Sequence, residues 1–157
     1  MKAVNTAVSP KLQGCTNLKL RQLTRQVSRH FDAEVGKTGL KITQYSLLSH
    51  VVKLGPLRPG ELAGWMRMEP STLTRNLRPL IDHGWVTLGE GADGRSRLVT
   101  ATDAGRAKRT EAQRHWRTAQ EGINRLLGAE RVMALHALLD ECGNLLAATG
   151  ITGDEDE

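Results

Sequence analysis

The stretch from Pro59 to Thr100, PGELAGWMRMEPSTLTRNLRPLIDHGWVTLGEGADGRSRLVT, leaves few folds open. It offers a short helix over about Pro59 to Met66, with Pro59 where a first-turn proline is tolerated, and a second helix from about Ser71. In the second, Leu73, Leu77, Leu80 and Ile81 recur on one face, while Ser71, Thr72, Arg75 and Arg78 point elsewhere. Two short helices joined by a tight polar turn, the second with a small, polar and basic outer face, form the pattern of a helix-turn-helix. Pro79 lacks the N–H that would bond the Arg75 carbonyl, so a bend, or a water on that carbonyl, is expected. Beyond it, Trp85 to Leu88 and Leu98 to Thr100 suit strands, and Asp93-Gly94 is a strong signal for the hairpin turn between them.

The flanks read as helices. From Thr16, Leu20, Leu23, Val27, Phe31 and Val35 keep helical spacing up to Gly36 or Gly39, and Lys19, Arg21, Arg25 and Arg29 make the other face basic. TQYSLLSHVVKLG follows as another helix, with Thr43 as N-cap and Gly55-Pro56 as the stop. After the hairpin, Thr102 caps a long helix to about Leu127, and Gly128 marks a break. The last helix carries Val132, Leu135, Leu138, Leu139, Cys142, Leu145 and Leu146, more apolar side chains than a one-sided surface helix needs. A second copy of the chain would cover the excess. Cys142, on that apolar face, reads as core.

The expected fold is therefore mainly α with a small β-hairpin wing: a winged helix-turn-helix with N- and C-terminal helices forming a dimerisation region. A chain of 157 residues has the size of one domain. The expected organisation is a flexible arm at 1–15, a single domain at 16–150 and a disordered acidic tail at 151–157. Within the domain, the winged helix spans about 40–101 and the dimerisation helices about 16–37 and 102–147.

Charge narrows the partner. The net charge is +5, but Asp154 to Glu157 are all acidic; without them 22 Lys and Arg face 13 Asp and Glu. The basic excess sits on the folded part, which favours a polyanion. The two cysteines form no CxxC, and the five histidines are scattered without an i,i+4 pair, so neither a disulfide framework nor a metal site is expected. The segment MKAVNTAVSPKLQG lacks the apolar run of a signal peptide, no stretch approaches a membrane span, and the reading is cytoplasmic. No nucleophile beside a base and no paired acids stand out, so the chain is read as no enzyme and no cofactor is expected.

These elements give the hairpin a purpose. In a winged helix the second helix of the helix-turn-helix enters the major groove, and the wing lies along the backbone toward the adjacent minor groove. Arg95 or Arg97 at the tip is long enough to reach that narrow groove, whose negative potential attracts arginine. Asp93 can close the turn and accept a hydrogen bond from Arg95 or Arg97, fixing its direction.

The run STLTRNLRPLIDHGWV followed by DGRSRLVTATDAG, with ELAGWMRMEP and TQYSLLSHV before it, resembles the multiple-antibiotic-resistance-type (MarR) winged-helix regulators over roughly Thr16 to Leu146. The resemblance implies a homodimer, joined by helices from both chain ends, that binds a pseudo-palindromic operator in double-stranded DNA and releases it on a signal. The recognition helix is then Ser71 to about His83, with Ser71, Thr72, Thr74, Arg75 and Arg78 as contacts, and the wing contributes Asp93 and Arg95 with Arg97 close by. Arg75 is suited to a bidentate bond to a guanine edge, and Ser71 and Thr72 to phosphates near the helix N-terminus.

The resemblance also implies a class of signal. A small aromatic carboxylate would occupy a cleft walled by the first, second and long helices, where Arg21, Arg25, Tyr45 and His50 carry useful chemistry. Cys15, near the start of the first helix as in the peroxide-sensing branch of the family, gives a redox alternative. The remaining alternative is an architectural or protein-binding winged helix with little sequence preference. Repression is the expected direction, since a dimer lying across a promoter blocks polymerase without further surface.

Overall fold

The computed structural model describes residues 14–150. The acidic tail and residues 1–13 of the expected arm lie outside the described residues. In chain order the elements are α1 (Thr16–Val35), a 3-10 turn (Gly36–Thr38), α2 (Ile42–Leu54), α3 (Pro59–Met66), α4 (Pro70–Asp82), β1 (Val86–Glu90), β2 (Arg97–Ala101), α5 (Asp103–Leu127) and α6 (Ala129–Ala148). This is a mostly helical winged helix-turn-helix with an antiparallel two-stranded wing.

The start of α2 departs from the sequence reading. Its N-cap is Lys41, not Thr43, which lies inside the first turn. The Lys41 N–H donates to Gln44 Oε1 (2.9 Å) and the Ile42 N–H donates to Asp32 Oδ1 on α1 (2.7 Å). A carboxylate supplied from another helix satisfies an orphan donor as well as a local hydroxyl does, so α2 starts earlier than its own sequence suggests.

The core lies beneath α2, α3, α4 and the wing. Leu47, Leu48 and Val51 of α2, Leu62 of α3, Leu73, Leu77 and Leu80 of α4, and Val86 and Val99 of the strands are all buried. Each such side chain stabilises the fold by about 1.5–3 kcal/mol relative to exposure. The wing register pairs Val86 with Ala101 and Glu90 with Arg97. Leu57 holds the wing base from outside the strands, donating to and accepting from Val99 at 3.2 and 2.9 Å.

The joint between wing and α5 is fixed at Thr102. Its Oγ1 accepts the Gly105 N–H (3.0 Å) and donates to the Gly84 carbonyl (2.7 Å), while its N–H donates to the Trp85 carbonyl (3.1 Å). Gly105 is buried there, and a Cβ on it would fall on the Trp85 carbonyl oxygen, so α5 can leave the wing at this angle only without a side chain. Further along, buried Ala112 and Ala119 let the helices approach α5 closely, and His30 of α1 bonds the Ala119 carbonyl (2.9 Å).

The terminal helices leave much apolar surface outside. Leu18 and Leu20 of α1, Leu126 of α5, and Met133, Leu138, Leu139, Leu145 and Leu146 of α6 are exposed. Cys142 is exposed as well, which corrects its assignment to the core. Within one chain α6 has α5 as its main neighbour, so only Val132 on it is buried.

Candidate nucleic-acid interface

Helix α4 has two faces of opposite chemistry. Leu73, Leu77 and Leu80 are sealed into the core, and Ser71, Thr74, Arg75 and Arg78 are exposed, with Thr72 half-buried. Pro70 occupies the first turn, and the helix runs through Pro79 to Asp82. Arg78 Nε donates to Asp82 Oδ1 one turn on (3.0 Å), an exposed pair that orients the guanidinium and adds little stability. Thr74 Oγ1 donates to the Pro70 carbonyl (3.0 Å). At the end of α4, His83 stacks on Trp85 with ring centres 4.4 Å apart, and Lys108 of α5 lies 5.5 Å from the centre of the Trp85 ring.

The wing tip is built around Asp93. Its Oδ1 accepts the N–H of Arg95 (3.1 Å), the N–H of Ser96 (2.8 Å) and the Ser96 hydroxyl (2.6 Å). The expectation that Asp93 would aim the side chain of Arg95 or Arg97 is thereby corrected. A short carboxylate at a turn reaches the backbone donors two and three residues on more readily than a distant guanidinium. Gly94, at φ 65°, supplies the left-handed residue that the turn requires. Arg97 Nη2 instead donates to the Leu88 carbonyl (3.3 Å) on the facing strand, while Arg95 is exposed at the tip.

The three bonds hold the Asp93 carboxyl at about 2, below its ordinary 3.8, with the Ser96 hydroxyl as the largest cause and the two backbone N–H groups next. A depressed carboxylate contributes order that is complete above its unfolded value of 3.8 and is lost as the pH falls through about 2. A carbon-detected titration of the Asp93 carboxyl should therefore give a midpoint near 2, with the Ser96 amide shifting alongside. A midpoint near 3.8 would mean that the tip is not closed this way in solution.

Arg67 ends α3 and was missed by the sequence reading. It stands in the helix-turn-helix turn with left-handed backbone (φ 48°), and its Nη2 donates to Asn144 Oδ1 on α6 (2.7 Å). Nothing local in RMEP announces a bond to a residue 77 positions away.

The residues expected to hold an effector are scattered. Arg21 and Arg25 are exposed on α1, Tyr45 is buried and stacked on Trp116 (6.3 Å between centres), and half-buried His50 bonds the Ser46 carbonyl through Nδ1 (2.8 Å). An apolar cavity of about 240 Å³ lies instead among α1, α5 and α6, lined by Leu23, Val27, Phe31, Ile123 and Leu135 with His136 on its wall. None of the four residues lines it. Cys15 is the exposed N-cap of α1. Among the described residues no three metal-ligating side chains cluster, and no helix is long and apolar enough to cross a membrane.

Sequence and fold both match known proteins. The MarR family model matches residues 40–88. The transcriptional regulator MosR of M. tuberculosis, solved in complex with DNA, is 31% identical; the match covers 84% of this chain and 98% of that one, with a TM-score of 0.72. The chain belongs to the MarR family. The chain is also similar to an uncharacterized HTH-type transcriptional regulator of Bacillus subtilis, YwoH, 28% identical over 93 residues, or 59% of this chain and 68% of that protein. A mutant E. coli MarR complexed with operator DNA shares the fold at a TM-score of 0.73 and 20% identity, over 80% of this chain and 91% of that one. MarR-family members are transcriptional regulators and not enzymes.

Proposed function

We propose that this MarR-family chain acts as a homodimer that binds a pseudo-palindromic operator, represses from it, and is released by a small aromatic carboxylate. The observation that carries the DNA-binding part is the two-faced α4: a helix locked from behind by Leu73, Leu77 and Leu80 presents Ser71, Thr74, Arg75 and Arg78 outward beside a wing tipped with Arg95. Arg75 offers a bidentate pair to a guanine edge, which is worth about 1–3 kcal/mol of discrimination. Ser71 and Thr72, at the first turn, add phosphate contacts alongside free backbone N–H groups. Arg95 reaches toward the minor groove. In a dimer the two reading units stand about 34–36 Å apart, one turn of DNA, and an effector that changes the angle between lobes spoils that spacing.

The domain assignment follows the same division, with residues 40–101 reading DNA and residues 16–37 and 102–147 pairing two copies. The apolar cavity among α1, α5 and α6 supports an aromatic effector, since its walls are mainly hydrophobic, with Thr24, Ser28 and Gln120 as neutral polar groups and His136 as its ionisable edge. Cys15 supports a second reading, relief by oxidation, because its thiol, at the N-cap position of α1, is exposed and so open to oxidants.

One experiment separates the two. The protein–operator complex is challenged with a panel of benzoate-type acids and, separately, with peroxide, in the parent chain and in Cys15→Ser. Release by one acid in both proteins supports the effector reading. Release by peroxide that Cys15→Ser abolishes moves the assignment to redox sensing, and a complex that survives every challenge removes both.

A further inference from the structure

A groove of about 200 Å³ lies beside the recognition helix, between the start of α2 and the flank of α4. Its walls are Lys41, Thr43, Gln44, Arg75, Asn76 and Pro79: two cations, three neutral polar side chains and no acid. Lys41 and Arg75 come from different elements, and neither is in an ion pair among the described residues. Two cations held on one concave surface repel each other, so an unneutralised groove of this kind favours an anion between them. The first turn of α2 adds to this. The N–H groups of Lys41 and Ile42 are taken by Gln44 and Asp32, and no side chain caps the donors that follow. Asp32, whose Oδ1 accepts the Ile42 N–H, does not line the groove.

We propose that this groove is a second DNA contact, a clamp for one backbone phosphate held by Lys41, Thr43 and the first turn of α2, with Arg75 bridging it to the base-reading face of α4. The inference rests on the DNA-binding reading given above and assigns residues that lie outside both the recognition helix and the wing. The clamp sets how far α4 enters the groove: Lys41 and Thr43 fix the strand on one flank, and the wing fixes the backbone on the other. A lysine suits the task because a phosphate needs a mobile point charge and no fork geometry. Contacts of this type position the protein and carry no sequence information.

The test is the salt dependence of binding to a selected operator and to a random duplex of equal length, for the parent protein, Lys41→Ala, Lys41→Arg and Thr43→Ala. Lys41 and Thr43 are exposed, and a thermal melt checks that each variant folds like the parent. Lys41→Ala should weaken operator and random DNA by the same factor and reduce the slope of log K against log salt by about 1 per protomer, or about 2 for a dimer. Lys41→Arg should restore the slope, and Thr43→Ala should weaken both duplexes with the slope unchanged. An unchanged slope in Lys41→Ala, beside a salt-dependent parent, overturns the clamp and leaves the regulator reading standing. Loss confined to the operator also overturns it, because Lys41 would then read a base. A parent protein that binds no DNA removes both readings. Inorganic phosphate at fixed ionic strength separates the remaining source: a rise in melting temperature that Lys41→Ala abolishes would make the groove a site for a free anion, contrary to the proposal.

Discussion

Placing glutamate at both Leu138 and Leu145 should convert the protein to a folded monomer and lower its operator affinity by about 10²–10⁴-fold. These two side chains are 58% and 62% exposed on α6 and stand two helical turns apart on one face. Neither packs into the core of its own chain, so the substitutions cost the isolated protomer little. Across a two-fold interface each would set a charge against an apolar surface twice over, which makes association unfavourable. The lost affinity comes from bivalence: a protomer bound to one half-site holds its partner at high effective concentration over the other. Sedimentation gives the mass, circular dichroism the fold, and anisotropy with labelled operator the affinity. A variant that stays dimeric would place the interface elsewhere; a monomer with undiminished affinity would mean that one half-site suffices.

Leu80→Ala should cost about 2–5 kcal/mol of unfolding free energy, the range for deleting a buried leucine side chain and leaving a cavity. Leu80 is fully buried on the inner face of α4, where it joins α2 and the wing. Arg78→Ala on the outer face is the contrast. Its ion pair with Asp82 is exposed at both ends, so its removal should change stability by less than about 0.5 kcal/mol while weakening DNA binding. Urea denaturation of the two variants at equal protein concentration separates the roles. A cost under about 1 kcal/mol at Leu80, or a large one at Arg78, would contradict the assignment of inner face to folding and outer face to binding.

Most of the architecture is legible in the chain because its signals are local. The α3–α4 pair, the Asp93-Gly94 turn, the Thr102 cap and the Gly128 break each depend on residues within a few positions of one another. What escaped is uniformly tertiary. Asp32 reaches from α1 to start α2 at Ile42, Arg67 bonds Asn144 on α6, and Lys41 lies beside Arg75 only because α2 and α4 pack together. The apolar pattern of α6 was visible, but apolarity alone does not say whether a side chain faces its own core or another chain; hence Cys142 was placed inside and is exposed. The apolar cavity among α1, α5 and α6 is the least legible feature: it is defined by shape, which no single helix encodes, whereas Arg21, Arg25, Tyr45 and His50 stand out in the sequence by their chemistry and do not line it.

Whether this protein reads a specific sequence as a dimer is settled by selecting bound sequences from a pool of random duplex DNA with the purified protein. An enriched palindromic motif is expected, its half-sites centred about one helical turn apart, bound at least about 10³-fold more tightly than random duplex at the same salt. A folded protein that binds DNA in a salt-sensitive way yet enriches no motif would contradict sequence-specific reading, and would leave the winged helix as an architectural DNA-binding module.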